Sequence, residues 1–146
     1  MTAIPPRISY LQDNLQSIRK IAKWTAEDLS KKIGVTKQTI SNLENNRTKM
    51  SLTQYIAIRS VLEYEVETNK DNVILPQVLS VIFDDENIND KRDEQEVKEI
   101  KDKVSMIGAS VASGVSSNTI LSFIGPISKK VSNTSKTFSW MKNILK

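Results

Sequence analysis

The placement of helix-punctuating residues constrains this chain more than any other feature. Thr25, Thr36 and Ser51 each stand just before a short stretch of apolar residues at helical spacing, and Gly34 falls between the first two stretches. A hydroxyl side chain in that position accepts a hydrogen bond from backbone N–H groups that the first helical turn leaves without partners. Asp28, three residues after Thr25, adds the reciprocal half of a capping box. Gly34 supplies the left-handed residue that a helix C-terminus favours. Upstream, Ile8, Leu11, Leu15, Ile18 and Ala22 recur at steps of three and four after Pro5-Pro6, which predicts a first amphipathic helix. The inward residues predicted for the next helices are Leu29 and Ile33, then Ile40 and Leu43, then Leu52, Tyr55, Ile56, Val61 and Leu62, with Val35 in the turn. The expected fold class is all-α.

Composition removes most chemistry. The 146 residues include no cysteine and no histidine, so disulfides, thiol nucleophiles, Cys/His metal sites and imidazole-dependent catalysis are not available. With four glycines and no GxGxxG or GxxxxGK[ST] string, no phosphate-cradling loop is evident. The chain is therefore expected not to be an enzyme and to need no cofactor and no metal. Its first residues lack the basic-then-apolar layout of a signal peptide, so a cytoplasmic location is expected.

Charge is partitioned along the chain. Residues 1–62 carry ten Lys/Arg against four acids, residues 63–103 thirteen acids against six Lys/Arg, and residues 104–146 five lysines and no acid. Basic blocks attract nucleic acid or anionic lipid, and the acidic block between them keeps the middle off both.

Two short helices joined by a glycine-containing turn form a helix-turn-helix layout. On the second of them, residues 36–45, burying Ile40 and Leu43 leaves Lys37, Gln38, Thr39, Ser41 and Asn42 outward. These side chains suit base edges. Gln and Asn pair bidentately with adenine, Lys reaches guanine O6 and N7, and Thr touches a thymine methyl. Asn45-Asn46-Arg47-Thr48-Lys49 follows as a polar, basic loop suited to phosphate oxygens. No acid falls on the outer face between Lys31 and Asn42.

The string from Thr25 to Arg47, with its core IGVTKQTISNLENNRTK, resembles the Cro/C1-type (XRE-like) helix-turn-helix family, which includes the repressors of lambdoid phages. The resemblance covers about residues 11–66. It implies a lambda-repressor-like five-helix DNA-binding domain, acting as a homodimer on a pseudo-palindromic operator in double-stranded DNA. By that likeness Lys37, Gln38 and Asn42 read bases. Thr25, Thr39, Asn45, Asn46, Arg47 and Lys49 touch or approach the phosphates. Arg19 and Glu44 match a structural pair that ties the first helix to the end of the recognition helix. Two positions depart from the pattern. Ala26 stands where many relatives have a phosphate-binding Gln, leaving orientation to Thr25, the helix N-terminus or Arg47. Asn46 replaces the usual Gly and tolerates the left-handed conformation better than other residues.

A fifth helix is predicted near residues 75–83, with Pro76 in its first turn. Val78, Leu79, Ile82 and Phe83 would either complete the core or form a dimer contact. Glu63, Glu65, Glu67 and Asp71 are expected in a loop or frayed helix end. The domain boundaries expected are a DNA-binding domain over 1–84, an acidic linker over 85–95 and a helical C-terminal region over 96–146 for dimerisation or a regulatory partner. Asp84-Asp85-Glu86-Asn87 lacks the ligand spacing, the central Gly and the terminal Glu of a calcium loop. From Gln95 the stripe Val97, Ile100, Val104, Ile107 and Val111 predicts a further helix. Residues 104–128 carry no charge but hold seven serines, which reads as a soluble hairpin broken near Asn118 and Gly125-Pro126 rather than a membrane span. The last stretch mixes Val131, Phe138, Trp140, Met141, Ile144 and Leu145 with lysines, and can close a hydrophobic patch, dock on a partner or lie on anionic lipid. The function expected is that of a sequence-specific DNA-binding transcriptional regulator, most simply a dimeric repressor. Two rivals stand beside it: an antitoxin-like or other interaction protein whose C-terminal helices bind a partner protein or membrane while the N-terminal domain autoregulates its operon, and a membrane-tethered regulator, which the uncharged run permits.

Overall fold

The computed structural model describes residues 6–83 and 94–124, and these form seven α-helices with no strand among them. In order they are α1 (Pro6–Ile21), α2 (Ala26–Ile33), α3 (Lys37–Glu44), α4 (Leu52–Thr68), α5 (Ile74–Ile82), α6 (Glu94–Ala112) and α7 (Ser117–Ile124). The punctuation read from the sequence sets the boundaries. Thr25 Oγ1 accepts from Asp28 N–H at 3.0 Å while Asp28 Oδ2 accepts from Thr25 N–H at 2.8 Å, closing the capping box of α2. Gly34 adopts φ 75° and ψ 36° at the end of that helix. Thr36 caps α3, and Ser51 caps α4 with Gln54 returning the bond.

The capping box has a pH signature. The Thr25 backbone N–H, helped by its hydroxyl and by the charges of Lys32 and Lys31, holds the Asp28 carboxyl below its ordinary value of 3.8. A depressed carboxyl contributes stability that is fully present above the unfolded-state pKa and is lost as pH falls through the folded one. Asp28→Asn is therefore expected to be less stable than the wild type at neutral pH. The gap between them should close in acid below about pH 4, the ordinary carboxylate range, in thermal melts run across that range. A gap that stays constant into acid contradicts the capping role of the charge.

α1 is the central element, packed against α3, α4, α5 and α6. Ile8, Leu11, Leu15, Ile18 and Ala22 are all buried, as is Ile21. Val104, Ile107 and Ile120 from α6 and α7 join the same hydrophobic cluster as the residues of α1–α5. Close approach of α6 depends on Gly108, where a Cβ would lie 3.0 Å from the Ser17 carbonyl oxygen and 3.1 Å from its Cα. Backbone cannot turn aside as a side chain can. Gly108→Ala is thus expected to lower stability by about 1–2 kcal/mol, since overpacking of about 1–3 kcal/mol outweighs a helix-propensity gain of up to about 1 kcal/mol. Denaturant unfolding measures it, and a stabilised variant would contradict the tight α1–α6 contact.

Several expectations are corrected. Leu52 opens α4 on the solvent side and is 46% exposed, whereas Ile58 and Arg59, absent from the predicted inward set, are buried. Ile56 and Val61 are only partly buried. α4 continues to Thr68, so of the two placements expected for the acids, Glu63, Glu65 and Glu67 take the helix end and Asp71 the following turn. The Arg59 guanidinium bonds the Tyr55 hydroxyl at 2.7 Å, pairs with Glu63 and stands 4.0 Å from the centre of the Phe83 ring. Val78, Leu79, Ile82 and Phe83 are consumed by the chain's own core, which decides between core and dimer contact for these four. The uncharged run breaks at Gly114, with φ 84°, a few residues before Asn118, and α7 is capped by Ser116. No described helix is long and apolar enough to cross a membrane. The acidic stretch 84–93, with its calcium-like string, and residues 125–146, with the Gly125-Pro126 break and the aromatic–lysine segment, lie outside the described residues.

Candidate nucleic-acid interface

The turn between α2 and α3 is built from backbone hydrogen bonds. Gly34 and Val35 N–H both donate to the Ser30 carbonyl, and Thr36 then starts α3 in extended conformation. Ile40 and Leu43 are completely buried and fix the rotation of α3 about its axis. That rotation leaves Lys37 and Gln38 exposed and Thr39, Ser41 and Asn42 half-buried on the outer side. Gln38 Nε2 donates to Asn42 Oδ1 at 2.9 Å, so two of the sequence-predicted base readers meet across one helical turn. Lys37 stands beside them without joining that bond.

The residues singled out for the phosphate backbone fall in two groups. Asn45, Asn46, Arg47 and Lys49 are exposed and contiguous after α3. Asn46 takes φ 58°, the left-handed conformation that its type tolerates, and Arg47 N–H returns to the Asn42 carbonyl at 2.8 Å. Thr25 and Thr39 lie at the starts of α2 and α3 and are already engaged. Thr25 Oγ1 serves the cap of α2, and Thr39 Oγ1 is 3.0 Å from Thr36 Oγ1. The N-terminus of α2 already holds the Asp28 carboxylate, which repels a phosphate there.

Arg19 and Glu44 meet in a two-pronged ion pair. Nε donates to Oε2 at 2.6 Å and Nη2 to Oε1 at 3.0 Å, while Nη1 donates to the Trp24 carbonyl at 3.0 Å. The pair joins α1, the turn after it and the last residue of α3. With Glu44 so occupied and Glu27 paired to Lys31 at 3.1 Å, the α2–α3 surface presents Lys32, Lys37, Arg47 and Lys49, opposed by the exposed Asp28 at the start of α2. Lys32 also lies over the Trp24 ring, 4.8 Å from its centre. Arg59, counted in the basic block of the sequence, is internal and adds nothing to this surface.

Gln12 was missed by sequence reasoning. The residue is 8% exposed and its carboxamide bonds three backbone groups: Nε2 donates to the carbonyls of Leu43 (3.0 Å) and Thr48 (2.7 Å), and Oε1 accepts from Met50 N–H (2.9 Å). The available signal was positional. Gln12 stands four residues after Ile8 and three before Leu15, on the apolar stripe of α1. Among the described residues no group of acids is arranged to hold a metal ion.

Residues 15–68 match the family model described as helix-turn-helix. Two curated proteins named Antitoxin HipB, from Escherichia coli O6:H1 (strain CFT073) and from Escherichia coli K12, are 42% and 40% identical to this chain over 53 residues. Each match covers 36% of this chain and 56% or 60% of the relative, so the chain spans little more than half the length of these relatives. No solved structure matches. Residues 15–68 are a helix-turn-helix DNA-binding domain of the Cro/C1 (XRE-like) type.

Proposed function

We propose that the chain is a sequence-specific transcriptional regulator, a cytoplasmic repressor that binds a pseudo-palindromic operator as a homodimer with α3 in the major groove. The observation that carries this reading is the outer face of α3. Lys37, Gln38 and Asn42 stand together there, free of acid, beside the exposed loop bearing Arg47 and Lys49. In this reading Lys37, Gln38 and Asn42 contact base edges, while Asn45, Asn46, Arg47 and Lys49 hold phosphates. Thr25 Oγ1 accepts from Asp28 N–H and keeps its proton for a phosphate, whereas the Thr39 hydroxyl shares a bond with that of Thr36. The exposed cations Arg47 and Lys49 of the loop add charge to the phosphate contacts. Residues 96–146 supply dimerisation or the regulatory contact.

A footprint of the full-length protein on the DNA flanking its own gene, over a salt series with unrelated competitor DNA, tests this. Paired protected half-sites about one helical turn apart are expected, weakening steeply with salt. Protection that ignores sequence, or none, contradicts the proposal.

A second reading is favoured by the two relatives, both HipB antitoxins. In it the same domain autoregulates an operon and the C-terminal helices bind a partner protein. Stoichiometric co-purification of a second protein expressed from the same operon supports that reading, and its absence from a tagged preparation under native expression removes it.

A further inference from the structure

We infer that Gln12 is a positioning residue for DNA binding, whose buried carboxamide fixes the 45–49 loop relative to the recognition helix. The inference rests on the proposed DNA reading and adds the residue that sets the geometry of its phosphate contacts. A glutamine amide has two N–H donors and one carbonyl acceptor. In Gln12 both donors and the acceptor are spent on backbone groups more than thirty residues away in sequence: the Leu43 carbonyl in the last turn of α3, the Thr48 carbonyl inside the loop and the Met50 N–H at its far end. All three partners are main-chain atoms, so the clamp acts on the path of the loop and leaves its outward side chains free. Met50 is buried and the Arg47 N–H is tied back to α3, but Thr48 and Lys49 between them are exposed. Gln12 bridges that exposed stretch. The clamp also starts from α1, which holds Arg19 and hence Glu44, so both ends of the reading unit are referred to one rigid helix.

Gln12 carries no charge, and this makes the inference testable. Replacing it cannot change the number of cations offered to DNA, so any change in the salt dependence of binding must come through the position of Arg47 and Lys49. Full-length Gln12→Met keeps the length of the side chain and removes all three bonds. Its binding is measured on a duplex bearing the footprinted site and on an unrelated duplex, across a salt series. Leu62→Ala, which weakens the core on α4, serves as the destabilised control. With both variants folded by circular dichroism, Gln12→Met is expected to bind both duplexes about tenfold more weakly, with sequence discrimination unchanged. Its salt slope should be shallower by about one to two, the loss of one or two phosphate contacts at roughly 0.9 each. Leu62→Ala should keep the wild-type slope. A folded Gln12→Met with the wild-type slope, or the same loss of slope in Leu62→Ala, overturns the inference. If Gln12→Met does not fold, amide hydrogen exchange of the wild type decides. The Met50 N–H should be protected to the level of the core, and exchange at the rate of an unstructured chain overturns the clamp. A wild type that binds neither duplex removes the DNA reading and this inference together, whereas a wild type that binds beside an unaltered Gln12→Met removes the inference alone.

Discussion

Glu44→Ala is expected to destabilise the protein by about 3 kcal/mol, the lower end of the roughly 3–5 kcal/mol for breaking a buried ion pair by removing one partner. The side chains of Glu44 and Arg19 are only 5% and 12% exposed. Without the carboxylate, the guanidinium keeps the Trp24 carbonyl as its one remaining partner among those described here. Most of the cost arises from stranding that charge rather than from losing attraction. A double substitution should therefore be much milder than the sum of the singles: Arg19→Met combined with Glu44→Leu replaces the pair by apolar groups of similar size, a change that is often close to neutral. Denaturant unfolding of both singles and the double measures the cycle. A loss below about 1 kcal/mol for Glu44→Ala, the range of exposed pairs, would mean that water reaches the pair. Because Glu44 is the last residue of α3, the single variant should also loosen that helix, and in the proposed reading DNA affinity should fall with stability.

The second large effect is on recognition. Gln38→Ala should cost about 1–3 kcal/mol in binding, concentrated at one base position of each half-site, because a bidentate amide–base contact carries sequence information. Gln38 also bonds Asn42, so its removal frees the Asn42 carboxamide to turn and should relax specificity at a neighbouring position as well. Lys49→Ala should behave differently. In the proposed reading its contact is with phosphate, so affinity should drop on every sequence alike, and the salt slope should shrink by about one. Equal losses on all DNA for both variants would contradict the division between base-reading helix and phosphate-binding loop.

Much of the DNA-binding half was legible because local chemistry dictated it. Thr25, Asp28, Gly34, Thr36 and Ser51 act within a few residues of chain, and the hydrogen bonds that they make were implied by their spacing. The outer face of α3 followed by subtraction once Ile40 and Leu43 were assigned inward. What escaped was long-range or masked by residue type. The end of α1 gives no glycine signal, since Lys23 takes φ 66° itself, a conformation that costs a non-glycine residue about 1–2 kcal/mol. Arg59 looks like a surface cation until Tyr55, Glu63 and Phe83 are seen around it. Gln12 reads as a polar residue on a helix, and its partners are set by how α1 crosses the end of α3. The break expected near Asn118 falls a few residues earlier, at Gly114, where the serine-rich run offers several similar caps and Ser116 takes that role.

The most direct test of the central claim is selection of binding sites from a pool of random duplexes by the full-length protein, with Gln38→Ala selected in parallel. The expected result is one enriched motif with two-fold-related halves about one helical turn apart, degraded by the variant at a defined position in each half. A wild-type pool that stays random through repeated rounds, or a variant that enriches the same motif unchanged, would contradict the claim that α3 reads sequence through its outward face.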